Sequence, residues 1–115
     1  MIDANVKRGS AKLAVLSLLE RGAMHGYEIA KRVEQETGGV LKFDVASLYP
    51  LLYRMEKDGW VAAEWQESES GRKRRCYKLT RDGKKQLVPL RAQWRKFFEA
   101  LSQLGGLDAA MESTR

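Results

Sequence analysis

The most regular hydrophobic pattern in the chain lies between Asp44 and Trp60. Apolar side chains recur there at intervals of three, four and seven residues, which places them on one stripe of an α-helix. Because Pro50 has no N–H and is tolerated only near a helix start, this helix should begin between Asp44 and Ser47. The pattern predicts a short helix with one buried stripe and an exposed opposite face. The stripe consists of Leu48, Leu51, Leu52 and Met55.

Two helices are predicted before this segment, and glycines mark the turns between the three. Ser10 can cap a first helix that runs through Arg21, whereas residues 1–9 are expected to form an arm with little structure. The first helix carries more apolar surface than one small core needs, so part of it, including Leu16, is expected to face another subunit. A second helix is predicted over Tyr27–Thr37. Three short helices in this order are typical of a helix-turn-helix core.

The segment after the third helix has the pattern of a β-hairpin. Trp60–Trp65 is β-prone, residues 66–74 form a polar loop, and Arg75–Leu79 is the predicted return strand. A ribbon of two strands is marginal by itself, so it should lean on the helices. A short helix followed by a basic hairpin is how a winged helix-turn-helix meets DNA. The chain is therefore predicted to be mainly α with a small β-hairpin.

The last helical segment, which Thr80 can cap, shows a different spacing. Its apolar side chains alternate at intervals of three and four residues, which is typical of a coiled-coil seam between two chains. Pro89 lies inside the segment and is expected to kink or split it near Val88. The seam consists of Leu87, Leu90, Trp94, Phe97, Leu101 and Leu104.

Length and composition fit one small soluble protein. The chain has 115 residues, of which 43% are hydrophobic and 31% charged, and no apolar run approaches the ~20 residues of a membrane span. A single cysteine, Cys76, fits the reducing cytoplasm, and its basic neighbours are expected to lower its pKa. The elements predict a winged helix-turn-helix domain over 1–80, a dimerisation helix over 81–107 and a disordered tail over 108–115.

The positive charge is concentrated in one region. The net charge is +6, but the segment from Gly71 to Lys85 alone holds eight cations against one acid, so the rest of the chain is nearly neutral. Four consecutive cations beside a glycine repel one another and gain little without a partner, which favours phosphate or minor-groove binding over a merely solvated hairpin. These cations are Arg72, Lys73, Arg74 and Arg75, of which the last is assigned to the strand.

The exposed face of the Asp44 helix is the second candidate for DNA contact. Taken alone, this face could equally be a solvated surface whose tyrosines cover the edge of the core. Beside a basic hairpin, a groove-reading or phosphate-binding role is favoured, and Arg54 is the best candidate for a bidentate guanine contact. The predicted contact residues of the helix are Ser47, Tyr49, Tyr53, Arg54 and Lys57.

Aromatic side chains in the last helix allow two interpretations. Trp94, Phe97 and Phe98 are expected mainly to pack in a dimer interface, and the alternative is an apolar pore between subunits that admits a flat ligand. His25 is the only histidine and is expected to be structural at a helix start. The sequence contains no metal-ligand spacing, phosphate loop or catalytic constellation, so we expect neither a cofactor nor an enzyme.

Three blocks of sequence resemble the PadR family of bacterial transcriptional regulators. They read HGYEIAKRVEQ, SLYPLLYRMEKDGWV and GRKRRCYKLTRDGKKQL, and the resemblance runs from about Ala11 to Trp94. It implies a homodimer with a winged helix-turn-helix and a C-terminal dimerisation helix, as in the short-tailed subgroup. It also implies repression from palindromic operators, with small aromatic or hydrophobic effectors bound between the subunits. Pro89 and Cys76 depart from the family pattern.

The sequence thus predicts a dimeric repressor whose two recognition helices lie about one DNA turn, ~34 Å, apart. Double-stranded DNA and a second copy of the chain are the expected partners, a small hydrophobic or aromatic ligand is a further one, and no membrane is expected. The main alternative is a winged-helix module that binds an acidic protein. A small enzyme is the remaining alternative, and the missing catalytic motifs disfavour it.

Overall fold

The computed structural model of the chain describes the backbone of residues 4–105 and the side chains of residues 9–105. The fold is mainly helical with a three-stranded antiparallel sheet, which confirms the predicted fold class and adds one strand to it. In chain order the elements are α1 (Ala4–Leu19), β1 (Met24–His25), α2 (Gly26–Glu36), α3 (Val45–Lys57), β2 (Val61–Glu67), β3 (Lys73–Leu79) and α4 (Arg81–Gly105).

The first helix begins earlier than its sequence pattern suggested. Residues 4–9 belong to α1, so the prediction of an unstructured arm over 1–9 is wrong for this part. Helix α1 packs against α4, and a Cβ at Gly9 would lie in ordinary contact with Trp94, 3.9 Å from its ring. Such tertiary contact offsets the low helix propensity of glycine. Residues 1–3 and the predicted tail over 108–115 lie outside the described residues.

The helices of the helix-turn-helix follow the predicted order, and residues next to their ends determine where they start and stop. His25 occupies the N-cap of α2, where its Nδ1 accepts a hydrogen bond from the Glu28 N–H at 3.2 Å, so this histidine has the structural role expected of it. Helix α3 starts inside the predicted window. Asp44 holds its N-cap position, but its side chain makes no capping hydrogen bond to the described residues. Gly59, with φ +82°, follows the helix end.

The sheet contains one strand more than the sequence pattern indicated. Strand β3 is central, with β2 on one side and the two-residue β1 on the other. Met24 of β1 pairs with Tyr77, which attaches the β2–β3 hairpin to the turn between α1 and α2. A ribbon of two strands was predicted because a strand of two residues carries no readable periodicity. The third strand gives the hairpin, called the wing below, the support that it was expected to need.

The core lies between the helices and the inner face of the sheet. Leu16 has 0% exposure within this core, so it has no surface left for another subunit and its assignment to a dimer interface is corrected. The broad apolar surface of α1 is used within the chain, where α1 packs against α2, α4 and β3. The largest fully buried side chains come from every element except the two-residue β1. They are Val15, Leu16, Ile29, Leu48, Leu52, Met55, Val61, Tyr77 and Leu87.

Helix α4 is continuous through Pro89, so the predicted split near Val88 does not occur. Pro89 has no N–H, so one carbonyl of the preceding turn loses its hydrogen bond within the helix. Because Pro89 is exposed, that carbonyl can bind water instead. The predicted cap is confirmed: Thr80 Oγ1 accepts a hydrogen bond from the Gly83 N–H at 3.0 Å and donates one to the Gly59 carbonyl at 2.6 Å. Thr80 therefore joins the start of α4 to the end of α3.

The predicted seam of α4 divides into two parts. Leu87 is 1% exposed in the protomer's own core, and Leu90 packs against that core. Phe97, Leu101 and Leu104 are exposed, the last of them at 89%. None of the helices within residues 4–105 is long and apolar enough to cross a membrane.

Candidate nucleic-acid interface

The outer face of α3 is accessible over its whole length. Leu48, Leu52 and Met55 are buried beneath it, as the sequence stripe predicted, while all five predicted contact residues are exposed. Neither Arg54 nor Lys57 forms an ion pair with a described acidic side chain. The contact residues predicted on this helix are Ser47, Tyr49, Tyr53, Arg54 and Lys57.

Tyr49 is held in place by the start of α2. A Cβ built on Gly26 would lie only 2.8 Å from the ring and hydroxyl atoms of Tyr49, so the ring lies directly against the glycine backbone. Any larger residue at Gly26 would push the ring away. The glycine at this position thus fixes the direction of a tyrosine on the exposed face of α3.

The predicted contact residues of α3 lie on two different flanks. Tyr53 lies on the flank next to the wing, where its ring is 6.0 Å from the Arg75 guanidinium. Ser47 and Arg54 lie on the other flank, where they line a cleft of about 690 Å³ between α1, α3 and α4. The remaining residues of that cleft are Gly9, Ala11, Lys12, Phe43, Asp44, Leu48, Pro50, Leu51 and Leu90. The structure therefore does not bring Arg54 to the wing.

The end of the wing carries three cations, in its turn and in the first residues of β3, and Glu67 of β2 lies opposite one of them, Lys73, in the strand pairing. Arg72, Lys73 and Arg74 are all exposed, and none makes an ion pair with a described side chain within 4.0 Å. The turn itself is closed by backbone hydrogen bonds, Ser68 N–H to the Arg72 carbonyl at 2.7 Å and Gly71 N–H to the Ser68 carbonyl at 2.9 Å. A short, ordered turn and the start of β3 thus hold several cations without ion-pair partners close together, which is an arrangement that attracts a polyanion.

Arg75, the fourth cation of the run, has a different environment. Its Nη2 donates to a carboxylate oxygen of Glu56 on α3 at 2.8 Å. Its guanidinium also lies 5.6 Å from the ring of Trp65 on β2 and 5.9 Å from that of Tyr77 on β3. Together with Tyr53, these residues form what we call the Arg75 cage.

Sequence reasoning placed Arg75 in a strand but missed the cage. One signal was available, because a hairpin closed between Ser68 and Arg72 sets Trp65 directly opposite Arg75. The partner on α3 could not be read in the same way. The position of Glu56 next to the wing depends on how the hairpin packs on the helix.

Burial raises the pKa of two side chains on β3, Cys76 and Tyr77. It raises the pKa of the Cys76 thiol, and Glu28 and Glu64 add to that effect, so the expectation that basic neighbours would lower it is wrong. Burial also raises the pKa of Tyr77. Cys76 is therefore a protonated strand residue at neutral pH and not a reactive thiolate. Within residues 4–105 no group of three His, Cys, Asp or Glu side chains could hold a metal ion.

The second half of α4 carries an aromatic surface. Trp94 and Phe97 make an edge-to-face contact with ring centroids 5.6 Å apart. Both line an open depression of about 390 Å³ together with Gln93, and Phe98 beside it is half exposed. The surface is mostly apolar, and Phe97 and Phe98 remain exposed on it in the single chain.

Comparison with known proteins places this arrangement in a family. The profile of the "Transcriptional regulator PadR-like family" matches residues 15–88. The Negative transcriptional regulator PadR of Bacillus subtilis is 28% identical over 76 residues, which cover 66% of this chain and 42% of that protein.

Solved structures agree with this match. A transcriptional regulator from Clostridium thermocellum superposes with a TM-score of 0.81 at 27% identity, covering 90% of this chain and 97% of the other. A PadR family transcriptional regulator from Eggerthella lenta gives a TM-score of 0.76 at 30% identity, with coverages of 87% and 85%. Since the family profile spans more than half of the chain, with the helix-turn-helix and the wing inside the match, this protein belongs to the PadR-like family of transcriptional regulators.

Proposed function

We propose that the protein is a homodimeric repressor that binds a palindromic operator in the cytoplasm and has no catalytic role. The observation that carries this proposal is the group of unpaired cations on the wing, next to the exposed face of α3. DNA phosphates would neutralise those cations and release condensed counterions, which supplies binding energy on any sequence. A basic patch that serves an acidic protein partner would not give the salt-sensitive binding to duplex DNA that is tested below.

Sequence choice is assigned to α3. Its exposed face can enter the major groove while the wing lies along the neighbouring phosphates. Tyr49 and Tyr53 offer hydroxyls and flat rings, Lys57 offers a point charge, and Ser47 lies in the first turn, where phosphate contacts are common. Arg54 can reach the groove from the cleft side and is the proposed reader of a guanine.

Dimerisation is assigned to α4 within residues 81–107, and DNA binding to residues 1–80. The exposed half of the seam, which includes Phe97, Leu101 and Leu104, is apolar surface that a second copy of the helix would cover. Repression as the sign of regulation is supported by the name of the Bacillus subtilis relative, a negative regulator, although this chain corresponds to 42% of that protein.

Replacing Arg72 and Lys73 together with Ala tests the DNA-binding proposal. We expect affinity to fall about equally for the operator and for random duplex. Each phosphate contact contributes a slope of about −0.9 to log affinity against log salt, so the slope should become shallower by roughly two to four units in a dimer. Arg54→Ala should instead lose ~1–3 kcal/mol on the operator for each base pair read, and little on random duplex. The measurement is a titration of both duplexes across salt concentrations, with the operator selected by the wild-type protein from a genomic library.

The matched control removes two cations from α4, at Arg95 and Lys96, which lie far from the wing in the chain and are exposed. This variant should keep most of the wild-type salt slope. Loss of operator discrimination with an unchanged salt slope in the Arg72 and Lys73 variant would show that these two residues read bases. Absence of salt-sensitive duplex binding by the wild type would contradict the proposed function and favour an acidic protein partner.

The proposed effector is a flat hydrophobic molecule bound at the aromatic surface of α4. A planar dye should quench tryptophan emission by stacking on Trp94, beside Phe97 and Phe98. Trp94→Ala should abolish most of this quenching, whereas Trp65→Phe, which alters an exposed tryptophan of the wing, should leave it. Equal quenching in the wild type and in Trp94→Ala would assign the aromatic surface to packing alone.

A further inference from the structure

We propose that Arg75 is a positioning residue that fixes the wing against α3 and thereby sets operator discrimination without contacting DNA. The proposal rests on the proposed function, because it concerns how two DNA-binding elements are held relative to each other. It separates Arg75 from Arg72, Lys73 and Arg74, which are adjacent in sequence and belong to the same run of positive charge.

The geometry of the Arg75 cage joins three elements at one side chain. The guanidinium meets Glu56 and Tyr53 of α3, Trp65 of β2 and Tyr77 of β3. The side chain of Arg75 is only 26% exposed. A planar guanidinium that stacks on rings and pairs with a carboxylate has one preferred orientation, so this contact defines one position of the wing relative to the helix.

The ion pair of the cage is suited to fixing geometry rather than to adding stability. Glu56 Oε1 and Arg75 Nε are buried and have no hydrogen-bond partner among the described residues. The pair is partly buried, with Arg75 and Glu56 side chains 26% and 29% exposed, and leaving such atoms unsatisfied reduces what it adds to stability. Its main effect is therefore directional, because any other placement of the wing would break the one good contact that the pair makes.

Arg75 is also poorly suited to bind phosphate. Glu56 neutralises it at 2.8 Å, so the pair carries no net charge toward DNA and would release no counterions. A phosphate would have to separate the guanidinium from the carboxylate and from three rings. The neighbouring Arg74 has no such partners among the described residues and is exposed.

The consequence for binding follows from the connection between helix and wing. Only Asp58, Gly59 and Trp60 link α3 to β2, and Gly59 adopts a φ of +82° there. A wing that is fixed before binding places its cations on phosphates at the same time as α3 enters the groove. Without the cage, that arrangement must be selected from several, which lowers affinity for the operator, where both elements engage fully. Random duplex, on which the wing can bind alone, is affected less.

The test compares two neighbouring arginines that undergo the same change. Arg75→Gln should lower operator affinity about tenfold, reduce the operator-to-random ratio, and keep the wild-type salt slope on random duplex. Arg74→Gln, the matched control, should weaken both duplexes alike and make the slope shallower by about 0.9 per lost contact. Both are measured with the full chain on the operator selected by the wild type.

A second variant approaches the pair from α3. If Arg75 bound phosphate, Glu56→Gln would free it, and DNA binding would become tighter and more salt-dependent. If Arg75 positions the wing, Glu56→Gln should lose operator affinity with an unchanged slope. The double variant with Arg75→Gln should lose no more than either single one, because both changes break the same contact.

The outcomes separate this inference from the proposed function. Failure of the wild type to bind any duplex contradicts the proposed function itself. Wild-type binding together with a shallower slope in Arg75→Gln, or tighter binding in Glu56→Gln, overturns the positioning role alone. An unchanged operator-to-random ratio in folded Arg75→Gln, or loss of folding in both single variants by circular dichroism, would assign the pair to stability and likewise overturn the inference.

Discussion

Replacing Leu101 with Asp is expected to convert the protein to a monomer and to lower operator affinity by about a hundredfold or more. Leu101 is 43% exposed in the protomer and lies on the exposed part of the α4 seam, between Phe97 and Leu104. A carboxylate buried in an apolar interface without a partner costs several kcal/mol. A dimer on a palindrome gains from binding two half-sites at once, and linking two sites raises affinity by about 10²–10⁴.

Sedimentation at micromolar concentration measures the assembly, and the same samples are titrated with operator. The matched control is Val88→Asp, which places the same charge at an apolar residue of α4 that is 70% exposed but lies outside the seam. This variant should remain dimeric and bind the operator normally. Two outcomes would contradict dimerisation through α4: a wild type that sediments as a monomer, or a Leu101→Asp variant that stays dimeric. A monomeric wild type would also contradict the proposed palindromic operator.

The parts of the fold that were predicted correctly are those where spacing and turn residues specify structure locally. The buried stripe of α3 follows from intervals of three and four residues, and Leu48, Leu52 and Met55 are buried as that pattern requires. Thr80 was predicted to cap α4 because a hydroxyl residue preceded a helical pattern, and its side chain accepts the Gly83 N–H. Such features depend on residues close together in the chain.

The parts that were missed depend on contacts between distant residues. Helix α1 packs against α4, where a Cβ on Gly9 would meet the Trp94 ring, and the short strand at Met24 exists because it pairs with Tyr77. A spacing rule identifies which side chains of a helix are buried but not what buries them. For this reason Leu16 was assigned to a partner subunit although its own protomer covers it completely.

In the candidate site, too, local features were predicted and contacts between distant residues were missed. The basic run at the end of the wing was visible as charge, and its first three members are exposed, but Lys73 and Arg74 lie in β3 and not in a loop over 66–74 as predicted. The fourth member, Arg75, is held by Glu56 across the gap between wing and helix, an interaction between residues 19 positions apart. Charge counted along the sequence treats the four cations alike. Their different surroundings are seen only when Glu56 of α3 is placed beside Arg75.

Helix α4 is joined to the winged domain at the corner where α3, β2 and α4 meet. Thr80 N–H donates to the Trp60 carbonyl at 3.1 Å, and Thr80 Oγ1 donates to the Gly59 carbonyl at 2.6 Å. Gly83, in the first turn of α4, lies buried against the same backbone. The direction in which α4 leaves the winged domain is thus set by hydrogen bonds to Gly59 and Trp60, the residues that link α3 to β2.

Replacing Gly83 with Ala is therefore expected to lower the free energy of unfolding by about 2–4 kcal/mol. A Cβ there would collide with the Trp60 carbonyl oxygen and would lie 2.7 Å from Leu79 Cδ1. Because that carbonyl is fixed by its bond from Thr80, the collision cannot be relieved by rotating a side chain. The gain in helix propensity of about 1 kcal/mol from glycine to alanine offsets only part of this cost.

Urea unfolding at one fixed protomer concentration measures the change, since a dimer's stability depends on concentration. The control is Gly9→Ala in α1, where the new Cβ would meet only the Trp94 ring at 3.9 Å. There the propensity gain acts without a collision, so stability should rise by about 0.5–1 kcal/mol. The two substitutions are chemically identical and should have opposite signs. Equal stabilisation by both would mean that the corner can open without cost, and that the direction of α4 is not fixed by its contacts with Trp60 and Thr80.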